Sequence, residues 1–151
     1  MQKAISADTM SSLIFVLTLL CTVVSTQMLA GGKKEQDPSR PEYMAMAWKA
    51  STTLNENSAA NDSPYAMMPI KVLKASTQVV SGIIYEFEIL FGEAGCKKGE
   101  VDLATLQAAN CQLRNGGNRA IYKVNCIERP WQNYLKINVS KIRDVSADEA
   151  L

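Results

Sequence analysis

The residues able to do covalent chemistry are few, and one type is missing: the chain contains no histidine. That removes Ser-His-Asp and Cys-His catalysis and every zinc site needing an imidazole ligand. Carboxylates and lysines are present, but they form no convergent cluster in the sequence. No catalytic residue, metal or cofactor is expected. Two short apolar turns stand out instead. Gln78-Val79-Val80-Ser81-Gly82 lies between two runs that read as strands. Its terminal glycine can adopt backbone angles closed to other residues, a hairpin signal. Two adjacent valines at a hairpin tip have no core to enter, so they are either accidental or meant for a partner. Pro130-Trp131-Gln132-Asn133 is a second turn with an aromatic tip, and Trp is a frequent interface anchor. The chemistry these residues offer is noncovalent contact.

The elements that position these turns show in the hydrophobic pattern. Ile70 to Ala75 reads as one strand. In the next, Ile83, Tyr85, Phe87, Ile89 and Phe91 alternate with Ile84, Glu86, Glu88 and Leu90, a period of two. Gly92 to Gly95 is expected to end it. Arg119 to Arg129 follows the Asn115-Gly116-Gly117-Asn118 turn, with Tyr122, Val124 and Cys126 on one face and Lys123 and Asn125 on the other. In the last strand Leu135, Ile137 and Val139 oppose Lys136, Asn138 and Ser140. A helix precedes the strands. Met44, Ala47, Trp48 and Ser51 form its stripe, flanked by Tyr43, Ala50 and Leu54. Asp37, or Ser39 with Glu42, is expected to cap its start, and Asn55 to Asn57 to stop it. The order is arm, helix, then four antiparallel strands. It predicts an α+β fold with one helix packed across a twisted sheet of four to five strands.

The ends carry separate signals. Lys3 is followed by Leu13 to Val24, 12 residues that are apolar apart from Thr18 and Thr22, and then by Ser25. The run is short for a membrane span and fits a secretory leader, cleaved after Ser25 or after Ala30. Gln27 to Arg40 is polar and contains Gly31-Gly32 and Pro38, as expected of a flexible arm. Cleavage removes Cys21 and leaves Cys96, Cys111 and Cys126. Bridging Cys96 to Cys111 would close a charged loop, with a short helical piece predicted at Val101 to Ala109. Such a bridge is worth about 3 kcal/mol on chain-entropy grounds. Cys126 faces inward by strand parity and is expected to stay free. A net charge of +1 predicts no broad attraction to nucleic acid or membrane.

Hairpin connectivity places Val79-Val80 and Pro130-Trp131 at the same end of the sheet, and the arm can reach that end. With these features in this order, the chain resembles a type 2 cystatin. The shared motifs are an arm glycine (Gly31-Gly32), Gln-x-Val-x-Gly (Gln78 to Gly82) and Pro-Trp (Pro130-Trp131). Met68 to Lys74 and Cys96-Lys97-Lys98 followed by Val101-Asp102-Leu103 are similar to the nematode branch. The resemblance covers about Gly31 to Arg143. It divides the chain into a leader (1–25), an arm (26–40), a cystatin domain (41–143) and a polar tail (144–151).

The resemblance implies a secreted, extracellular, monomeric, reversible inhibitor of papain-like cysteine proteases of the cathepsin type. Gly31, Gly32, Gln78, Val79, Val80, Ser81, Gly82, Pro130 and Trp131 would contact the protease. It also suggests Asn61, in Ala60-Asn61-Asp62, as a second site directed at legumain. Asn-Asp in a post-helix loop is equally ordinary turn chemistry. Asn61-Asp62-Ser63 and Asn138-Val139-Ser140 are in addition N-glycosylation sequons. The family's second bridge is missing, since Lys141-Ile142-Arg143 stands where its last cysteine would lie. The alternatives are a cystatin-fold binding or immunomodulatory protein without inhibition, and an unrelated small helix-on-sheet enzyme.

Overall fold

The structure, a computed structural model, describes residues 31–151. The leader over 1–25, Cys21 and the first residues of the arm lie outside the described residues. The chain forms strand β1 (Lys34–Gln36), helix α1 (Pro41–Glu56), and strands β2 (Tyr65–Val80), β3 (Gly82–Lys97), β4 (Arg119–Arg129) and β5 (Tyr134–Val145). The sheet is antiparallel with order β1-β2-β3-β4-β5.

α1 starts differently from the expectation. Arg40 occupies the N-cap with extended backbone and no side-chain cap, and Pro41 takes the first turn. There the missing N–H costs nothing and the fixed φ suits a helix. Asp37 instead closes the preceding turn, accepting from Ser39 N at 2.9 Å and Ser39 Oγ at 2.7 Å. The buried face carries Tyr43, Met46, Ala47, Ala50, Ser51, Leu54 and Asn55. Fully buried Ala47 and Ala50 bring the helix axis close to the sheet.

Trp48 sits to one side of that face. It is partly buried against a satellite cluster of Ala66, Ala94, Leu106 and Cys111. Asn55, expected to stop the helix, is buried within its last turn and grips β2 from both sides. It accepts from Met67 N at 2.7 Å and donates to Met67 O at 2.9 Å. The helix breaks after these bonds, with Asn57 at the C-cap.

Strand parity behaves as expected. Phe87, Ile89, Phe91, Tyr122, Val124 and Cys126 share the core face with α1. The outer face carries ion pairs, Lys33–Glu86 at 2.7 Å and Lys74–Glu88 at 3.0 Å. The strands are longer than Ile70–Ala75 and Ile83–Phe91. β3 does not end at Gly92–Gly95 but continues through it to Lys97. A Cβ on Gly92 would lie 2.8 Å from Ile70 Cδ1, so Gly92 makes room for the Ile70 side chain rather than ending the strand.

The expected flexible arm also contains a short strand. β1 pairs Lys34 with Thr77 and Gln36 with Ala75, and Gln36 Nε2 donates to Thr77 Oγ1 at 3.1 Å. This pins the chain within three residues of Gly31. At the other terminus β5 runs on to Val145, which is buried beside Leu90 and Ile121.

The excursion between β3 and β4 holds the Cys96–Cys111 disulfide, while Cys126 is buried and, among the described residues, free. Its helical content is one 3-10 turn, Leu103–Thr105, capped by Asp102. Glu93 ties the excursion to its surroundings. Only 3% exposed, it accepts hydrogen bonds from Ser63 Oγ, Asn118 N, Asn118 Nδ2 and Arg114 Nη1, all between 2.6 and 3.1 Å. Burial opposes its charge. The bonds from Ser63, Asn118 and Arg114 together outweigh that cost and hold the carboxyl below its usual range.

Candidate functional site

The β2–β3 hairpin closes tightly, with Val80 paired to Gly82 and Ser81 alone at the tip. Val79 is 62% exposed and Val80 41%. Gly82 has φ +127°, and a Cβ there would lie 2.6 Å from the carbonyl oxygen of Glu128 and 3.0 Å from Arg129 Cγ. No side chain fits, for backbone and steric reasons together. The first hairpin therefore rests directly on the end of β4.

The second hairpin is a 3-10 turn, Pro130–Gln132, closed by Asn133 in the left-handed conformation. Asn133 N donates to Pro130 O at 3.1 Å. Proline at the start and asparagine at the positive-φ position are residues that such a turn selects. Trp131 projects from it and is 67% exposed.

Gly31 completes the row. A Cβ on it would lie 3.3 Å from Val79 O and 3.5 Å from Val79 Cβ, whereas Gly32 faces open space. The segment entering β1 thus lies along the first hairpin, which in turn lies along the second. Gly31, Val79-Val80, Gly82 and Pro130-Trp131 line one end of the sheet in that order. The strand pairings account for this: β1 starts, β2 ends, β3 starts, β4 ends and β5 starts at the same edge.

Arg129 was not singled out in the sequence, where it reads as the last polar residue of β4. Its stem packs on Gly82, and its guanidinium lies over the Tyr134 ring at 5.4 Å. Its Nε is buried without a hydrogen-bond partner among the described residues. Arg129 therefore braces the two hairpins and brings a positive charge to their junction. Only the pairing of β3 with β4 could reveal this. Behind it, Tyr85 donates to Glu128 at 3.2 Å. Burial and then the Glu128 charge push the Tyr85 hydroxyl up, so it stays protonated as that donor.

Asn61 is elsewhere, at the opposite end of β2 from the hairpin tips, and it is turned inward. It is 5% exposed, with Nδ2 donating to Asn55 Oδ1 at 3.1 Å and Tyr65 O at 3.4 Å, while Oδ1 accepts from Ser63 N. The expectation of an Asn61 side chain offered to a second protease therefore does not fit this conformation. Its amide serves the helix–loop–strand junction. Among the described residues no three His, Cys, Asp or Glu side chains converge as metal ligands.

The result is a helix-on-sheet domain that aligns two exposed apolar turns and a glycine segment along one edge. The family profile described as Cystatin domain matches residues 31–126, and the chain belongs to that family. It is 40% identical over 124 residues to cystatin cpi-1 of Caenorhabditis elegans, covering 82% of this chain and 86% of that protein. It is 30% identical over 118 residues to onchocystatin of Onchocerca volvulus, covering 78% and 70% of the two. Among solved structures, that of Al-CPI superposes with a TM-score of 0.63 at 30% identity, covering 76% of this chain and 100% of that one. Cystatins are protease inhibitors, not enzymes.

Proposed function

We propose that the protein is a secreted, reversible, tight-binding inhibitor of papain-like cysteine proteases that fills their cleft with the aligned edge. The observation that carries this is the packing of Gly31 on Val79 and of Gly82 on Glu128 and Arg129, which makes three separate motifs into one surface. The residues preceding Gly31-Gly32 would run through the non-primed subsites. Val79 and Val80 would lie over the catalytic cysteine, and Trp131 would cover the primed side. Gln78 and Ser81 flank the valines, and Pro130 sets the angle at which Trp131 leaves β4. In this pose no peptide carbonyl would be presented to the catalytic cysteine in attack geometry, so the complex would be blocked and not turned over.

One chain supplies all three contacts, so a monomer suffices. The leader and the Cys96–Cys111 bridge favour an oxidising, extracellular setting. The test is inhibition of papain and a cathepsin L-type enzyme by protein lacking residues 1–25. Inhibition at nanomolar to micromolar concentration is expected, and none at micromolar concentration would overturn the proposal. A non-inhibitory binding role is disfavoured by the intact exposed tips. It would be supported if Trp131→Ala left the biological effect unchanged. A legumain site at Asn61 requires three hydrogen bonds to be broken first, and nothing in the geometry favours it.

A further inference from the structure

We propose that Asn138 is an N-glycosylation site and that Asn61, the other sequon, is not. The inference rests on the secreted reading above and adds a covalent modification to it. The sequence holds two sequons, Asn61-Asp62-Ser63 and Asn138-Val139-Ser140. As sequence they are equivalent apart from Pro64 after the first. Their surroundings separate them.

Asn61 is buried, and both ends of its amide are used. A sugar on Nδ2 would have to occupy the space of Asn55 and Tyr65, and would sever the contact through which Asn55 grips Met67. A chain modified there before folding could not close this junction. Lys98 Nζ, donating to Asn61 O at 2.6 Å, covers the same loop.

Asn138 has the opposite situation. Among the described residues β5 pairs only with β4, which makes it an edge strand with one open side. Asn138 and Ser140 are exposed, while Val139 between them is partly buried against the core. In an extended strand, residues two apart share a face. The acceptor amide and the hydroxyl that completes the sequon therefore stand together on the outer face, away from α1. Their cross-strand neighbours are Asn125 and Lys123, and the Asn138 side chain makes no hydrogen bond among the described residues. A glycan there displaces nothing.

Its position also leaves the proposed inhibitory edge clear. Asn138 lies four residues along β5 from Tyr134, about 13 Å at the rise of a strand. A bulky hydrophilic group at this point would shield a 12-residue edge that exposes Leu135 and Ile142, an arrangement otherwise open to pairing with another chain. In the reaction, Asn138 Nδ2 attacks the anomeric carbon of an oligosaccharide carried on a polyprenyl pyrophosphate. The C–N bond forms and the bond from that carbon to the pyrophosphate oxygen breaks. The amide proton passes to a base of the transferase, the polyprenyl pyrophosphate leaves, and no redox change occurs.

The test expresses the full chain in insect cells and compares medium and cell fractions before and after peptide N-glycosidase. Wild type in the medium should show one downward mobility step, which Asn138→Gln and Ser140→Ala abolish and Asn61→Gln retains. Peptide mass spectra should place the modification on Asn138. Glycosylated protein and Asn138→Gln should inhibit papain equally. Secreted wild type without a glycan, or loss of the step in Asn61→Gln, would overturn the proposal. If the chain stays in the cells unmodified, the secreted reading fails. Replacing residues 1–25 by the leader of a secreted protein then decides the site: a glycan on Asn138 upholds it and an unmodified product overturns it.

Discussion

At the scale of single residues, exposure and backbone strain mark the positions on which the proposed inhibition rests. Trp131 has almost no role in its own fold, so Trp131→Ala should leave thermal stability unchanged while weakening inhibition by about 2 kcal/mol, the usual range for an aromatic anchor. The loss should appear mainly as faster dissociation in stopped-flow or surface-binding kinetics. Gly82 differs, because it is held by backbone angle and by contact with Glu128. Gly82→Ala should lower both inhibition and stability, the latter by roughly 1–3 kcal/mol, checked by thermal melting beside the inhibition assay. Cys126 illustrates the reverse case. Burial, and then the Glu128 charge, push its thiol up to about 12, so at neutral pH it stays protonated and inert. The oxidised native protein lacking residues 1–25 should not react with iodoacetamide, and it should take up one equivalent in denaturant.

At the scale of elements, the excursion between β3 and β4 is held by a disulfide at its base and by Glu93 behind it. Because the Glu93 carboxyl lies below its usual range in the folded state, its contribution is present above that range and disappears as pH falls through the lowered value. Glu93→Gln should therefore cost roughly 2–3 kcal/mol at neutral pH, the scale of hydrogen bonds to a buried charge. The gap to wild type should narrow below about pH 4, where carboxylates in the unfolded chain take up protons. Urea unfolding of both proteins at pH 7 and pH 3 measures this. A constant gap would show that Glu93 acts through shape and not charge. The contacts of Glu93 join the Ser63 loop, the Asn118 turn and Arg114, positions up to 30 residues away, so nothing local in the sequence marked it.

At the scale of the whole molecule, the sheet is a device for bringing distant segments to one edge. Removing residues 1–32 should preserve the fold, since β1 begins at Lys34 and the core begins at Tyr43. Inhibition should weaken about tenfold or more, a loss of at least about 1.4 kcal/mol. Equal inhibition by the shortened protein would remove the arm from the proposed edge.

Much of this architecture was legible beforehand. A period of two in Ile83 to Phe91 and in Arg119 to Arg129, helical spacing from Tyr43 to Leu54, and glycine or proline at the turns are local consequences of backbone geometry. These signals survive without knowledge of partners. They sufficed for the helix, four of the five strands, both hairpin tips, the Cys96–Cys111 bridge and the inward Cys126.

What escaped depended on register and burial, which long-range pairing sets. β1 is three residues whose strand character comes entirely from Ala75 to Thr77. Gly92 to Gly95 looks like a stop until Ile70 is seen packed against it. Trp48 belongs to the excursion, and Arg129 is a brace only because β3 and β4 meet at Gly82. The two Asn-x-Ser sequons make the same point. The sequence determined that two acceptors exist and that two apolar tips and a glycine segment share one chain. The tertiary structure alone decided that Asn61 is locked inside a junction, that Asn138 stands on an open edge, and that the three segments form one surface. The physical reason is that a residue's chemistry belongs to its type, whereas its availability belongs to whatever distant chain packs beside it.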